Sequence, residues 1–276
     1  MSRGLAVIAV AALLLVAVAV GFAQDDKPWE KPGTKAGEEI VGPDGGKMVW
    51  VPAGEFSMGS DDIVFWDDNT SRRIHIAAPV HHVHLSKGFW LGKCTVTNAQ
   101  YRQYCHETGA DFPKGSDQGD NHPVVNVTWT EAAAYCKHYG LSLPTEAQWE
   151  YAARGPEGRE YPWGNEWDPK KCCNKSNQGP GGKTFPVGSF PQGASWCAAL
   201  DMAGNVWQWC KDWYSDGYRP SAPDTDPPGP GSGDVRVLRG GSWADDAWYC
   251  QSACRVGYVP SGRYGDRFGL RCLRTP

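Results

Sequence analysis

The sequence lacks several patterns that characterise common classes of protein. Its 276 residues carry 27 Lys and Arg against 31 Asp and Glu, for a net charge of −4, and no basic stripe. This balance argues against a nucleic-acid partner. Ten cysteines are present but no C-x-x-C motif, so zinc binding is only weakly indicated. No histidine follows His138, and no internal repeat is visible.

The first 23 residues have the composition of a secretory signal peptide. A positive start at Arg3 precedes an almost entirely apolar run over residues 4–20, and Gly21 and Ala23 provide an A-x-A-like cleavage site before Gln24. An uncleaved membrane anchor is the alternative, since the apolar run approaches the length of a spanning helix. We expect an exported protein, periplasmic or extracellular, in which some cysteines form disulfides.

The rest of the chain divides into a short segment and one domain. Residues 24–46 are polar and rich in Pro and Gly, which predicts a linker. Residues 47–276 fit one large irregular domain, or two small ones, without a second convincing linker. The 34 Gly and 21 Pro interrupt regular elements, while 14 Trp supply large apolar side chains. We therefore predict an α/β (α+β) domain with little regular secondary structure. We also expect a monomer.

Local signals place the helices and strands. Each predicted helix begins at a Thr that precedes Gln or Glu by three residues, a capping box, and ends before a Gly. The predicted helices are 97–108, 128–139 and 145–154. The predicted strands are two within 48–58 around a turn at 52–54, then 81–85, 89–95, 206–213, 234–238, 249–256 and 268–273.

Three clustered histidines could suggest a metal site. His82 and His84 would share one face of the strand 81–85, whereas His81 would point to the other face. At most two good ligands remain. We interpret the three as polar strand residues near a surface.

Seven sequence blocks follow one another in a distinctive order. They are MVWVPAGEFSMG (48–59), VTNAQY (96–101), LPTEAQWEYA (143–152), YPWG (161–164), DMAGNVWQW (201–209), RGGSW (239–243) and FGLR (268–271). This order resembles the formylglycine-generating enzymes, or sulfatase-modifying factors, across nearly the whole mature chain. The resemblance implies a C-type-lectin-related fold. It also implies a peptide or protein substrate such as a sulfatase, whose Cys-x-Pro-x-Arg cysteine is oxidised with dioxygen and copper(I).

The resemblance assigns roles at the active site, with one departure. Ser242 and Trp207 match residues that line the family's site, although a turn residue and a core aromatic are the alternatives. Cys250 matches the second copper cysteine, but Asp245 stands at the first. Copper(I) is soft and favours thiolates over a carboxylate, so we expect weak copper binding. Cys254 would share a face with Cys250 on an extended segment and could replace the missing thiolate, or it could be a disulfide half or a core residue.

The resemblance also implies a calcium site. Asp201 and Gln208 would supply side-chain oxygens, and Gly204 and Val206 backbone carbonyls, which are the hard ligands that calcium prefers. Gln208 stands where the family often has Glu, so one negative charge is lost. A tight turn without metal is the alternative.

Two further features come from the resemblance. A second calcium site of the family begins at the position of Asn174, but the loop 178–183 lacks the expected acid, and we doubt that site here. Cys136 and Cys272 match a disulfide of the family's enzymes.

Two functions therefore compete. The first is a copper-dependent oxidase acting on a cysteine peptide, which rests on Cys250, Ser242 and Trp207. The second is a non-catalytic binding module, which rests on Asp245 and on a group of aromatic residues near it. That group is Trp243, Trp248, Tyr249, Tyr258 and Tyr264. A three-His iron site of the kind used by sulfoxide synthases on this fold is set aside, because no histidine lies near Cys250 in sequence.

Overall fold

The structure is a computed structural model that describes residues 27–67, 72–75, 77–216, 224–263 and 265–276. The predicted signal peptide (residues 1–23) and Tyr264 lie outside these ranges. Within them, no helix is both long and apolar enough to cross a membrane.

In the described residues the chain forms three α-helices and twelve short strands. The helices are α1 (Asn98–Thr108), α2 (Trp129–His138) and α3 (Glu146–Arg154). The strands are β1 (Glu39–Val41), β2 (Lys47–Val51), β3 (Gly54–Met58), β4 (Val64–Asp67), β5 (Arg72–His75), β6 (His81–Leu85), β7 (Phe89–Gly92), β8 (Trp207–Trp213), β9 (Arg236–Arg239), β10 (Arg255–Tyr258), β11 (Phe268–Gly269) and β12 (Leu273–Arg274).

All three predicted helices are confirmed, together with the signals that predicted them. In each, the N-cap Thr side chain accepts a hydrogen bond from the third backbone N–H, and the Gln or Glu there accepts one from the N-cap N–H. Helix α1 ends at Gly109, whose φ of 76° lies in the left-handed region that glycine adopts without strain. Two donors per helix start are thus satisfied locally.

The strands form two four-stranded sheets and two antiparallel pairs, β3 with β6 and β4 with β5. One sheet has the order β1-β2-β7-β12, and the other the order β10-β9-β8-β11, in which β11 runs parallel to β8. The predicted strands within 48–58 are present as β2 and β3. They pair with β7 and β6 rather than with each other.

The prediction for residues 249–256 was wrong in its first half. Ala247–Cys250 is a turn of 3-10 helix, and the strand begins only at Arg255. Backbone hydrogen bonds from Tyr249 N to Asp246 O (3.1 Å) and from Gln251 N to Trp248 O (3.3 Å) close this turn. Cys250 and Cys254 therefore do not share a face of one strand. The predicted strand 268–273 is likewise split into β11 and β12.

The linker prediction was wrong for residues 27–46. Strand β1 pairs with β2 in this segment. Trp29 packs against the hydrophobic core, and Trp90 Nε1 donates to the carbonyl of Lys31 at 2.8 Å. The Pro- and Gly-rich composition reflects an edge segment that packs on the domain through a few contacts.

Buried ion pairs join α3 to the second sheet. Arg255 Nε and Nη2 donate to the two carboxylate oxygens of Glu146, at 2.6 and 2.8 Å. Arg239 bonds to Glu150 and lies 3.3 Å from Glu146. All four side chains are at most 3% exposed. Each buried charge is thus paired with an opposite charge, which offsets the cost of removing it from water, and β9 and β10 are fixed on α3.

Candidate functional site

A cleft of about 420 Å³ opens where the second sheet meets the loop that precedes the 3-10 turn. Its walls come from the start of β8, from the turn, from β10 and from the segment leading into β11. The lining residues are Trp207, Asp245, Tyr249, Val256, Tyr258 and residues 265–268. We call it the Asp245 cleft.

Asp245 is held in one orientation by the two residues that the family resemblance singled out. Its Oδ2 accepts from Trp207 Nε1 at 2.8 Å, from Ser242 N at 3.0 Å and from Ser242 Oγ. Trp207 is anchored in β8, and Ser242 is fully buried in a turn that follows two glycines in the left-handed region. The structure therefore brings Ser242, Trp207 and Asp245 together through hydrogen bonds.

Cys250 lies behind the cleft and does not line it. Its side chain is fully buried and packs with Cys172 and Ala203. Interaction with the Cys172 thiol, followed by burial, holds the pKa of Cys250 well above its ordinary value. Burial also raises the pKa of Cys254, to about 12. Both thiols are thus protonated at neutral pH, and the neighbour that packs on Cys250 is Cys172, which the sequence analysis did not identify.

The residues at the family's two copper positions do not fit copper(I). That ion prefers thiolates, whereas the first position is a carboxylate that already accepts from three hydrogen-bond donors, and the second is a buried cysteine outside the lining of the cleft. Across the described ranges, no group of three or more His, Cys, Asp and Glu side chains is arranged to hold a metal ion.

The residues of the predicted calcium site form a turn whose polar groups already have protein partners. Asp201 Oδ2 accepts from Gly188 N at 2.8 Å, and Gln208 Nε2 donates to the carbonyl of Asp201 at 2.6 Å. Gln208 Oε1 accepts from Trp149 Nε1 and from Arg271 Nε, at 2.8 and 2.9 Å. The side chain that would be a calcium ligand thus bonds to a buried guanidinium. Calcium binding stays a prediction.

The turn nevertheless needs its glycine. Gly204 has a φ of 70°, and a Cβ there would lie 2.1 Å from the carbonyl of Cys173. Val206, the other predicted carbonyl ligand, is fully buried at the end of this turn. The glycine in the block 201–209 is therefore explained by the close approach of the backbone at Gly204 to the backbone at Cys173.

Asn174, the start of the second family calcium site, is buried and accepts from Ser176 Oγ at 2.8 Å. The next residue, Lys175, donates its backbone N–H to the carbonyl of Asp245 at 2.9 Å. This loop therefore supports the cleft from behind, and calcium binding at Asn174 is untested.

The structure brings the predicted disulfide partners within reach of each other. Cys136 in α2 and Cys272 before β12 are both buried, and their Sγ atoms lie 3.6 Å apart. Both are free thiols in this structure, so the disulfide stays a prediction.

The histidines of β6 serve as polar strand residues. His82 Nε2 lies 3.4 Å from a carboxylate oxygen of Glu55 on the neighbouring strand, and His81 Nδ1 lies 3.0 Å from the carbonyl of Pro79. All three histidines therefore lie on the strand that the sequence predicts.

The aromatic group predicted near Asp245 is only partly in the cleft. Tyr249 and Tyr258 line it, and Trp207 meets Tyr249 edge-on at 5.9 Å between ring centroids. Trp248 stacks on Tyr249 from behind, and Arg267 lies over the ring of Trp243 at 5.7 Å. Sequence reasoning missed Asp266 and Arg267 in the cleft wall. Their one signal was their position directly before the FGLR block.

Comparison with known proteins identifies the same family as the ordered sequence blocks. The family described as "Sulfatase-modifying factor enzyme 1-like domain" matches residues 36–276. A formylglycine-generating enzyme of Streptomyces coelicolor is 44% identical over 82% of this chain and 88% of its own length. The Mus musculus formylglycine-generating enzyme is 32% identical over 82% of this chain and 74% of its own.

A solved structure shows the same fold. PvdO from Pseudomonas aeruginosa superposes with a TM-score of 0.73 at 27% identity, covering 88% of this chain and all of that one. The sheet-rich α+β architecture with three helices in the described residues is thus the C-type-lectin-related architecture that the sequence predicts. The chain belongs to the sulfatase-modifying factor family, the family of the formylglycine-generating enzymes.

Proposed function

We propose that this protein binds a peptide segment of a protein partner in the Asp245 cleft, and that it does so without copper-dependent oxidation. The observation that carries the proposal is the carboxylate of Asp245, which stands at a copper-cysteine position and is bonded to Trp207 and Ser242. The volume of the cleft lies within the range of ligand pockets, about 300–1,000 Å³. The family resemblance implies that its occupant is a peptide.

The position of Cys250 supports the same proposal. A soft metal would be bound by thiolates, but Cys250 is fully buried and lies outside the lining of the cleft. The residues that do line it include two acids, an arginine and four aromatic side chains. Such walls suit recognition of a side chain through packing and charge.

The test joins two measurements on the purified protein. Competition against a copper(I) chelator should show weak binding, and oxygen uptake with a Cys-x-Pro-x-Arg peptide should not depend on added copper. Peptide binding should nevertheless be detectable by tryptophan fluorescence, since Trp207 lies in the wall. Copper-dependent oxygen uptake with that peptide would overturn the proposal.

Copper-dependent oxidation of a cysteine peptide is the second candidate. The observation in its favour is that Cys250 keeps the family's position and has a second thiol, Cys172, packed beside it. Tight copper(I) binding that is lost in both Cys250→Ser and Cys172→Ser, but retained in Cys197→Ser, would make it the better candidate. Cys197 is the control because it is an equally buried free cysteine outside this pair.

We also propose that the protein is exported after cleavage before Gln24, and that it is a monomer. The support for export is the sequence of residues 1–23. Export predicts a mature N-terminus at or near Gln24, which N-terminal sequencing of protein recovered from the periplasm or medium checks. Protein retained in the membrane with an intact N-terminus would show an anchor, and elution as a dimer in size-exclusion chromatography would contradict the monomer.

A further inference from the structure

The carboxylate of Asp245 has one occupied oxygen and one open oxygen. All three hydrogen bonds from Trp207 and Ser242 go to Oδ2. Among the described residues, none donates a side-chain or backbone N–H or O–H to Oδ1, and no Lys, Arg or His forms an ion pair with this side chain. Asp245 is half-buried and lines the cleft. Its charge is therefore fixed in direction and lacks a partner.

Asp246, the next residue along the chain, is an acid in a different environment. Asp246 is exposed, and its carboxylate lies 3.3 Å from Nζ of Lys175. The two adjacent aspartates thus differ in environment: Asp246 forms an ion pair at the surface, whereas Asp245 lies in the cleft without one. A charge that is partly shielded from water interacts more strongly with a ligand charge than one at the surface, because the effective dielectric constant is lower.

The walls around Asp245 favour a positive ligand. The rings of Trp207 and Tyr249 meet edge-on at 5.9 Å, and those of Tyr258 and Phe268 at 4.9 Å. The faces of aromatic rings attract cations through their quadrupole. They also provide apolar surface for an alkyl chain that leads to the charge.

We propose that the Asp245 cleft recognises a primary ammonium group on an alkyl chain, as in a lysine side chain of the bound peptide. The inference rests on the proposed function, since it names the side chain by which the peptide is recognised. Ammonium is favoured over guanidinium because Oδ2 is occupied. Arginine binds carboxylates best through two parallel hydrogen bonds, which need both oxygens, whereas lysine acts as a point charge.

Arg267 would favour a different ligand, and the experiment must distinguish the two. Arg267 lines the same cleft and lies over the ring of Trp243. An acidic peptide side chain would use Arg267 in place of Asp245. Asp266, its neighbour in the wall, adds a second negative charge to the cleft, so the acids outnumber the base among the lining residues.

The test uses four peptides of the form acetyl-Ala-Ala-X-Ala-Ala-amide, in which X is Lys, Arg, norleucine or Glu. Each is titrated into the mature protein and into two variants, and binding is followed by NMR shifts of the tryptophan indole N–H groups. Asp245→Asn keeps the shape and an oxygen acceptor for Trp207 and Ser242. Asp246→Asn is the matched control, because it removes the same charge one residue away.

The expected order of affinity is Lys above Arg, with norleucine and Glu weakest. Loss of a charged hydrogen bond predicts that Asp245→Asn weakens the lysine peptide by about tenfold or more, whereas Asp246→Asn leaves it within about twofold. Norleucine binding should not respond to Asp245→Asn. Added salt should weaken the lysine peptide more than the norleucine peptide, because screening acts on the charge.

The outcomes separate this inference from the proposed function. If lysine and norleucine peptides bind equally, or if Asp245→Asn has no effect, the cleft still binds peptides but ammonium recognition is wrong. If the Glu peptide binds best, Arg267 is the recognising group and the inference is again wrong. If none of the four peptides shifts any indole signal, both the inference and peptide binding in the cleft are overturned.

Discussion

The buried acids of α3 and the acid of the cleft are stabilised in contrasting ways. Glu146 and Glu150 are almost fully buried, and each is paired with arginine side chains that are as buried as they are. Asp245 is half-buried and held by neutral donors, with no ion pair among the described residues. Ion pairs within the protein hold its elements together. A charge that the fold orients but does not pair can instead bind a ligand of opposite charge.

The largest expected effect on the free energy of unfolding is that of the predicted disulfide in the core. If Cys136 and Cys272 are bonded in the exported protein, the bridge closes a loop of 136 residues and contributes on the order of 4–5 kcal/mol by chain entropy. Cys136→Ser should lower the free energy of unfolding in urea by that amount under oxidising conditions. The difference should shrink strongly in reductant. Detection of either thiol free by mass mapping of the non-reduced protein would refute the bridge.

Breaking an ion pair of the core tests the contrast directly. Glu146→Gln leaves Arg255 and Arg239 buried without their shared acid, so we expect a loss of about 3–5 kcal/mol in the free energy of unfolding. Glu55→Gln is the control, since that acid is exposed and its ion pair within the described part of the chain is with His82. Equal effects of the two variants would show that burial of the pair contributes nothing.

Asp212 differs from the paired acids of the core because burial raises its pKa, and this makes the stability of the protein depend on pH. Burial, followed by the nearby charge of Glu146, raises the pKa of Asp212 from 3.8 to about 8. The folded state therefore keeps a proton that the unfolded state loses, and stability falls as pH rises between these values. The slope from this group is at most about 1.4 kcal/mol per pH unit.

Asp212→Asn should flatten this part of the pH profile. The measurement is the free energy of unfolding in urea from pH 5 to pH 8 for both proteins, and the difference between them isolates Asp212. Parallel profiles would mean that Asp212 is ionised in the folded protein at neutral pH.

Calcium is expected to have a smaller effect than these core changes. Binding at Asp201 would have to replace hydrogen bonds that already satisfy Asp201 and Gln208, so most of the gain would be offset. For protein first shown to contain calcium, excess EGTA should lower the melting temperature slightly, and Asp201→Ala should remove the response to EGTA. An unchanged melting curve would exclude calcium from this turn.

The variant of the cleft should change metal affinity more than stability. Asp245→Cys should lower the free energy of unfolding by about 1–3 kcal/mol, because the thiol cannot replace the carboxylate oxygen that accepts from Trp207 and Ser242. It should raise copper(I) affinity by orders of magnitude if the thiol can approach that of Cys250. Asp246→Cys, which adds a thiol on the exposed side, should not. No gain in Asp245→Cys would mean that the pocket has diverged further from the copper enzymes.

Local signals in the sequence predicted the helices and most strands, because capping boxes and alternating burial act within a few residues. They could not predict that β2 pairs with β7, or that Cys172 packs on Cys250, because both contacts join distant parts of the chain. The family resemblance located Ser242, Trp207 and Asp245. It did not give their hydrogen bonds, which arise from the turn at residues 240–245 and define the ligand class that we propose.

The segment 268–274 lies at the junction of both large sheets. Phe268 pairs with β8 and lines the cleft, while Leu273 pairs with β7 in the other sheet. Between them, Arg271 bonds to carbonyls of Lys93 and Leu200. During synthesis on the ribosome, neither sheet can therefore be completed until this segment has left the exit tunnel. The nascent chain before that point exposes two unfinished sheet edges, and we expect it to depend on chaperones until this late segment docks.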